Sequence, residues 1–203
     1  MTPPRPAADP PAIRQGRPRD KTLDNAILNA ARDQLASSGL AGLSIAAVAE
    51  AAGTTRPTLY RRWPTKLALA LDAVAQLAEA DPPPVTDDPF HDLVAEVAHF
   101  RHCIAEGSSL ALAGVMLQDD VDEAFRAQYR ESLVRPRRAR IRACLERGID
   151  TGQLAPDADL DVAGSLITGS WYAFAISGAR VPRDWASRTA ALVWRACGGQ
   201  PTT

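Results

Sequence analysis

The sequence has 203 residues, of which 46% are hydrophobic, so it can bury the core of one large or two small domains. Aromatic residues make up only 5% and runs of β-branched residues are absent, a composition that favours helices over sheets. The three cysteines are far apart and form no Cys-x-x-Cys pair, which excludes a disulfide framework and a zinc ribbon. We therefore expect a soluble all-α protein of a reducing cytoplasm.

The net charge of −1 conceals an uneven distribution along the chain. Residues 1–66 carry ten Lys or Arg and five Asp or Glu, a net charge of +5, whereas the remainder carries −6. This asymmetry predicts a polyanion-binding N-terminal module joined to an acidic body. No window approaches the roughly 18 uninterrupted apolar residues of a membrane span, and the N-terminus lacks the apolar core of a signal peptide. We expect neither secretion nor a membrane partner.

The chain begins with a segment, residues 1–15, that is rich in Pro and Ala and has no apolar periodicity. Such a composition predicts a disordered tail. From Thr22 onward, apolar residues recur at spacings of three and four, which predicts a first helix with one apolar face. The pair Ser38-Gly39 is expected to stop this helix.

Two short helices are predicted next. Ser44 is a good N-cap for the first of them, and Gly53 ends it because a tight turn there needs a positive φ. The second follows at once, with Thr55 or Arg56 as its cap. Pro57 falls in its first turn, where the missing N–H costs nothing.

A change of direction is predicted at Pro64, followed by a fourth helix over about 64–79. Trp63 is expected to fill the joint between the third and fourth helices. The stretch 80–89, rich in Pro and Asp, is the best linker signal in the chain. The expected organisation is a tail over 1–15, a first domain over 16–80 and a second domain over 81–203.

The second domain continues as helices, which brings the expected total to about nine. The apolar stretch 108–117 should be buried, and Pro136 predicts a kink or break in a long charged helix. The predicted helices cover 90–106, 108–117, 120–149, 159–177 and 184–197.

Two short helices joined by a glycine turn make a helix-turn-helix over about 44–62, in which the second helix can lie in the major groove of DNA. That helix needs only Leu59 for its core. It carries hydrogen-bonding side chains at Arg56, Thr58, Tyr60 and Arg61. No acid occurs between Glu50 and Asp72, so an approaching DNA backbone meets no like-charge repulsion.

The stretch LSIAAVAEAAGTTRPTLYRRWPTKLAL resembles the DNA-binding signature of the tetracycline-repressor (TetR) family. In that family a Gly closes the turn, a Leu-Tyr pair lies in the recognition helix and a Lys follows six residues after the Tyr. Gly53, Leu59-Tyr60 and Lys66 match these elements, and the match covers about residues 16–79. A second similarity follows the order Arg147, Gly148, Gly152, Gln153, Leu154, Asp159 and Asp161.

The resemblance implies a three-helix DNA-binding domain joined to a helical domain that binds an effector and dimerises. Tyr60, Ser44 and Lys66 are then expected on phosphates, and Arg56, Thr58 and Arg61 on base edges. The expected DNA contacts are Arg17, Arg19, Ser44, Thr54, Thr55, Arg56, Pro57, Thr58, Tyr60, Arg61 and Lys66.

Two of these residues, Arg17 and Tyr60, carry alternatives, and Arg62 has a separate expectation. Gly16-Arg17-Pro18-Arg19 resembles the minor-groove-binding core of an AT-hook, but simple attraction of Arg17 to phosphate explains it as well. Tyr60 could instead pack half-buried with its hydroxyl in water. Arg62 is expected to be solvated or to face phosphate.

Specific binding by one short helix offers too few contacts, so we expect a homodimer on a palindromic operator. The last two helices are the expected interface, with Leu166, Ile167, Ala190, Val193 and Trp194 supplying apolar surface beside Trp171 and Phe174. The acidic domain should hold an unknown small-molecule effector in an apolar pocket. The candidate lining is Phe100, Cys103, Met116, Phe125, Tyr129, Trp171 and Phe174.

The function expected from these features is a sequence-specific transcriptional regulator, a repressor that its effector releases from DNA, with no cofactor. One alternative is an architectural DNA-binding protein without an effector. The other is a metal-dependent enzyme, because His99, His102 and Cys103 lie within one turn. His102 and Cys103 point about 100° apart on a helix, and no second cluster completes four ligands. Neither a metal site nor an enzyme is therefore expected.

Overall fold

The computed structural model describes residues 21–79, 82–106, 109–118 and 121–201. The proposed tail and the arm with Arg17 and Arg19 lie outside these residues. All regular structure within them is helical, which confirms the all-α class. The helices are α1 Lys21–Gly42, α2 Ile45–Ala51, α3 Arg56–Arg62, α4 Lys66–Glu79, α5 Pro89–Glu106, α6 Ser109–Val115, α7 Glu123–Tyr129, α8 Arg135–Asp150, α9 Leu160–Ser177 and α10 Trp185–Ala196.

The first helix bends at the predicted stop without ending there. Gly39 adopts φ 66°, and the helix resumes for a last turn to Gly42. Its inward face is fully buried at Ile27, Ala31 and Leu35, as the spacing of apolar residues predicts. The bend redirects the chain toward α2.

Helices α7 and α8 form one continuous stretch through a π-helical turn, Arg130–Val134. The turn directly precedes Pro136. Proline lacks an N–H and its ring collides with the carbonyl four residues earlier, so a widened turn accommodates it without breaking the helix. Counted as one rod, α7 and α8 bring the described helices to the expected nine.

Two hydrophobic clusters organise the chain. The N-terminal cluster joins α1–α4 to Cys103 of α5, to Leu112 of α6, and to α7 and the π turn at Phe125, Tyr129 and Leu133. The C-terminal cluster joins α5, α8, α9 and α10. The packing boundary therefore does not coincide with the linker, because α6 and α7 pack with the first four helices.

The C-terminal cluster absorbs most of the residues predicted for a dimer interface. Ile167, Ala190, Val193 and Trp194 are at most 3% exposed within the single chain, so the interface prediction is wrong for them. Gly148 shows how tightly the cluster is packed, since an added Cβ would lie 2.6 Å from Trp194. Leu166, in contrast, is 55% exposed and stays a prediction.

The expectation that residues 108–117 are buried holds only in part. Leu112 is fully buried, but Leu117 is 81% exposed and Gly114 also faces out. Apolar composition does not distinguish a buried helix from one that lines an open cavity, and α6 does the latter. None of the described helices is long and apolar enough to cross a membrane.

A hydrogen-bonded network connects Thr86 of the linker to helices α5 and α8. The buried Asp92 of α5 accepts from the Thr86 N–H at 3.0 Å, from its hydroxyl at 2.7 Å and from Arg147 Nη1 at 2.5 Å. Burial alone would raise the pKa of Asp92, but Arg147 and Thr86 outweigh it, so the pKa lies below its ordinary value. Arg147 also donates to the Thr86 carbonyl.

Candidate nucleic-acid interface and ligand cavity

The turn of the helix-turn-helix has the predicted geometry. Ser44 caps α2, its Oγ accepting from the Ala47 N–H at 3.4 Å. Gly53 adopts φ 62°, and its N–H donates to the Glu50 carbonyl at 3.0 Å. A side chain at this φ would strain the backbone, which is why the turn needs glycine.

Helix α3 is anchored by one residue and otherwise offers its side chains to solvent. Leu59 is fully buried, whereas Tyr60 is 51% exposed, a degree of burial that fits the half-buried alternative as well as a DNA contact. Thr55 is the N-cap, although its hydroxyl bonds to the Thr58 hydroxyl at 3.1 Å instead of to a backbone N–H. The exposed residues of this segment are Thr55, Arg56, Pro57, Tyr60 and Arg61, with Thr54 and Thr58 partly exposed.

The three arginines of α3 differ in their partners. Arg56 and Arg61 are exposed and have no carboxylate partner in the described part of the chain. Arg62 forms an ion pair with Asp24 of α1 and is only 19% exposed. The expectation that Arg62 faces solvent or phosphate is therefore wrong, because its position on α3 turns it toward α1. Two positive charges remain on the outer face.

Lys66, the first residue of α4, lies beside the joint between α1 and α2. Its Nζ donates to the Ala41 carbonyl at 3.2 Å, near the exposed Ser44. The Ser44 N–H donates to Gln34 Oε1 at 2.9 Å. Lys66 and Ser44 are thus both bonded to α1, and they stand at the N-terminal ends of α4 and α2.

Trp63 lies in the core as predicted and takes part in a polar bridge that the sequence pattern did not indicate. Its indole N–H donates to Asp72 Oδ2 of α4 at 2.8 Å. The other carboxylate oxygen of Asp72 accepts from Gln128 Nε2 of α7 at 3.1 Å. We call Trp63, Asp72 and Gln128 the Asp72 bridge. It connects the end of α3 to the second domain through one carboxylate.

A cavity of about 590 Å³ lies between the two clusters. Met116, Tyr129 and Val134 belong to or pack on the N-terminal cluster, and Tyr172 of α9 packs on the C-terminal one. The lining is Ala113, Gly114, Met116, Leu117, Tyr129, Val134, Arg137, Arg138, Thr168, Tyr172, Ala175 and Ile176. It is mostly apolar, with a few hydroxyls and two arginines.

Only two of the seven residues predicted for an effector pocket line this cavity, Met116 and Tyr129. Phe100, Cys103, Phe125, Trp171 and Phe174 do not line it and pack in the clusters or on their edges. An aromatic residue of a helix can pack in a core or line a cavity, so the residue type alone does not predict which of the two it does.

Arg137 is the one charged lining residue with no acidic or hydrogen-bonding partner among the described residues, and the sequence reasoning missed it. The guanidinium carbon of Arg137 lies 4.5 Å from the centroid of the Phe100 ring. A signal was available: Arg137 stands four residues before the buried Ile141, and therefore on the inward face of α8. It lies in a run of arginines, RPRRAR, whose composition suggests a solvent-exposed segment.

The described residues contain no group of three His, Cys, Asp or Glu side chains placed to hold a metal ion. Within the candidate set, His99 Nε2 lies 3.5 Å from Cys103 Sγ. His102 is exposed on another side of α5. The arrangement around α3 thus defines a helix-turn-helix DNA-binding protein with a cavity in its helical second domain.

Comparison with known proteins identifies the family. Residues 27–73 match the family model "Bacterial regulatory proteins, tetR family", and residues 83–193 match "Tetracyclin repressor-like, C-terminal domain". The second match alone spans more than half of the chain. The chain therefore belongs to the TetR family, and it is a DNA-binding transcriptional regulator.

Individual relatives agree. An uncharacterized HTH-type transcriptional regulator of Bacillus subtilis (strain 168), YdeS, is 29% identical over 170 residues, which span 83% of this chain and 86% of that protein. The crystal structure of the TetR family regulator SCO0332 is 27% identical, with a TM-score of 0.68 over 85% of this chain and 97% of that one. The regulator FadR from Bacillus subtilis, crystallised with stearoyl-CoA, shares the fold at 16% identity and a TM-score of 0.57, covering 85% and 96%.

Proposed function

We propose that this regulator is a repressor that binds a palindromic operator as a homodimer and leaves it when a small molecule enters the cavity. The observation that carries the DNA interface is the outer face of α3, where Arg56, Tyr60 and Arg61 are exposed and the two arginines lack carboxylate partners. Arginine can bind guanine O6 and N7 with two hydrogen bonds, and Tyr60 can donate to phosphate.

Dimerisation is proposed through one exposed face of α9. Val162, Leu166, Gly169 and Ala173 are all exposed and recur at spacings of four, three and four, so they share a side of the helix. Leu192 of α10 is also exposed. Two copies of this face would bury apolar surface and place two recognition helices for a two-fold site.

Release is proposed to act through the boundary between the two clusters. The cavity touches both, so a ligand that fits only one relative arrangement would bias their packing. Tyr129 of the lining directly follows Gln128 of the Asp72 bridge. Movement of α7 would thereby reach Trp63 and the end of α3.

The direct test of the operator is selection of genomic fragments by the purified protein, followed by footprinting. One protected palindrome is expected, and compounds made or consumed by the products of the neighbouring genes are then screened for release. The double variant Arg56→Ala, Tyr60→Ala should lose the footprint while keeping its far-UV circular dichroism. Arg180→Ala, which alters an exposed arginine elsewhere, is the matched control.

The outcomes separate the candidate functions. Diffuse protection that no compound relieves would overturn the repressor and favour the architectural protein. Normal footprinting by the double variant would overturn the assignment of α3.

The dimer face is tested with Leu166→Glu, measured by sedimentation velocity. A monomer with weakened operator binding is expected, because a buried charge would disrupt the interface. Val85→Glu alters an equally accessible apolar residue in the linker and should leave the dimer intact. A dimeric Leu166→Glu variant would place the interface elsewhere.

The route of release is tested with Gln128→Ala, which removes only the contact between Asp72 and α7. Operator affinity without ligand should change little, but the loss of affinity caused by the releasing compound should shrink several-fold. Arg126→Ala, two residues earlier on α7, is the control. An unchanged response in Gln128→Ala would exclude the Asp72 bridge as the route.

A further inference from the structure

We propose that the cavity takes a small amphipathic anion, whose single acidic group pairs with Arg137 and whose apolar body lies against the walls between the two clusters. This inference rests on the proposed function, since it names the chemical class of the effector.

The charge of Arg137 is buried without a carboxylate partner in the described part of the chain. Its side chain is 8% exposed, lines the cavity and packs against the Phe100 ring. Its neighbours in the cavity wall are the hydroxyls of Tyr129 and Tyr172, and no carboxylate pairs with it in the described part of the chain. Burial lowers the pKa of Arg137, yet an arginine remains charged at neutral pH.

Four of the other five arginines of α8 are neutralised by acids within the chain: Arg135 by Glu131, Arg140 by Glu96, Arg142 by Glu146 and Asp161, and Arg147 by Asp92. Arg138 also lines the cavity, and it donates to two neutral acceptors, the Ser165 hydroxyl at 3.2 Å and the Asp161 carbonyl at 3.4 Å. Among the described residues that line the cavity there is no Asp or Glu, so this part of the wall carries two positive charges and no negative one.

A desolvated charge without a counter-ion is costly to the folded state, and buried groups of this kind in a cavity are candidates for ligand contacts. A carboxylate, sulfonate or similar head would supply the missing partner through charge-assisted hydrogen bonds to the guanidinium. One buried guanidinium matches one negative charge. The rest of the ligand would contact Met116, Val134 and Ala175, which are apolar.

The volume sets the size of the ligand. A cavity of about 590 Å³ lies within the range of pockets that enclose a drug-sized molecule. Its outer edge carries Leu117 and Ile176, which are 81% and 80% exposed. The far end of a bound apolar body would cover these two side chains.

The experiment compares two fluorescent probes that share one ring system. 1-Anilinonaphthalene-8-sulfonate carries an acidic group, and N-phenyl-1-naphthylamine lacks it. Titrated into the full chain, the anionic probe should bind at least about tenfold more tightly. Arg137→Met should abolish this preference and leave binding of the neutral probe unchanged. Arg137→Lys should keep part of it, and Arg135→Met, which alters an exposed arginine one half-turn away, should keep all of it.

A second measurement separates binding from structural support. If Arg137 serves a ligand, Arg137→Met should retain or increase its urea midpoint, because a desolvated charge is removed. Equal binding of the two probes, or an unchanged preference in Arg137→Met, would overturn the proposal, as would a large fall in the midpoint with no change in probe binding.

Failure of this inference is distinguishable from failure of the proposed function. If the anionic probe binds through Arg137 but leaves the operator complex intact, the ligand class stands and release fails. If a compound releases the operator while Arg137→Met retains the preference for the anionic probe, release stands and the ligand class is wrong.

Discussion

The arginines of α3 and those of α8 differ in where the unpaired positive charges lie. In both helices some arginines are neutralised inside the chain, Arg62 by Asp24 and Arg147 by Asp92, and others are left over. The remaining arginines of α3 lie in solvent, where a charge costs nothing until a polyanion arrives. Arg137 is left over inside a cavity, where its charge is costly. Exposure and partners, not residue type, thus decide what an arginine can bind.

The largest expected effect is at Asp92, the most buried carboxylate that pairs with an arginine. Asp92→Asn should lower the free energy of unfolding by about 2–3 kcal/mol, since Arg147 and Thr86 lose a desolvated charge partner. Urea titration measures it, with the exposed Asp150→Asn as control. A loss no greater than that of the control would contradict a structural role for the pair.

The same pair predicts a pH dependence. The pKa of Asp92 is lower in the folded state, so its stabilisation is fully present above the ordinary carboxyl pKa of about 4 and is lost as the pH falls through the folded pKa. The difference in stability between the wild type and Asp92→Asn should therefore shrink in acid. A constant difference across pH 3–6 would refute the lowered pKa.

The next largest effect is expected on operator binding, at the exposed arginines of α3 that lack acidic partners among the described residues. Arg61→Ala should cost about 1–3 kcal/mol of operator binding, or roughly 5- to 150-fold in Kd, and relax specificity at one base pair. Lys66→Ala should weaken operator and random DNA alike and reduce the salt slope by about one. Titrations on both DNAs over a range of salt distinguish them, and identical behaviour of the two variants would place Arg61 on phosphate.

A smaller effect is expected at Arg62, which is paired with Asp24, in contrast to the exposed Arg61 on the same helix. Arg62→Met should lower stability by about 1 kcal/mol and Tm by about 2–4 °C, because the partly buried pair with Asp24 is lost. Its operator affinity should fall far less than that of Arg61→Ala. If Arg62→Met keeps its Tm but no longer binds the operator, Arg62 contacts DNA and does not stabilise the fold through Asp24.

The smallest effect is expected at the surface of α8. Arg142 lies 2.7 Å from Glu146 and 3.0 Å from Asp161, but all three side chains are about half exposed or more. Solvent screens such pairs, so Arg142→Met should change stability by no more than about 0.5 kcal/mol. Both probe binding and operator binding should be unaffected, and a change in either would extend the functional surface to this side of α8.

Local features of this protein could be read from its sequence because their causes are local. Gly53 is required by a positive φ, Ser44 caps α2 through its own side chain, and the spacing of apolar residues set the inward face of α1. The family resemblance rested on the same short-range elements. These interactions span a few residues, so the order of the chain contains them.

Only the tertiary structure decided the fate of side chains whose partners are distant. Trp194 and Leu166 are both apolar residues of the last two helices. Trp194 is buried against Gly148, whereas Leu166 is exposed. Arg62 pairs across 38 positions of sequence, and Asp72 reaches Gln128 across 56. The cavity with its two arginines likewise arises where α6, α7, α8 and α9 meet, and its character depends on which arginines find acids elsewhere in the fold.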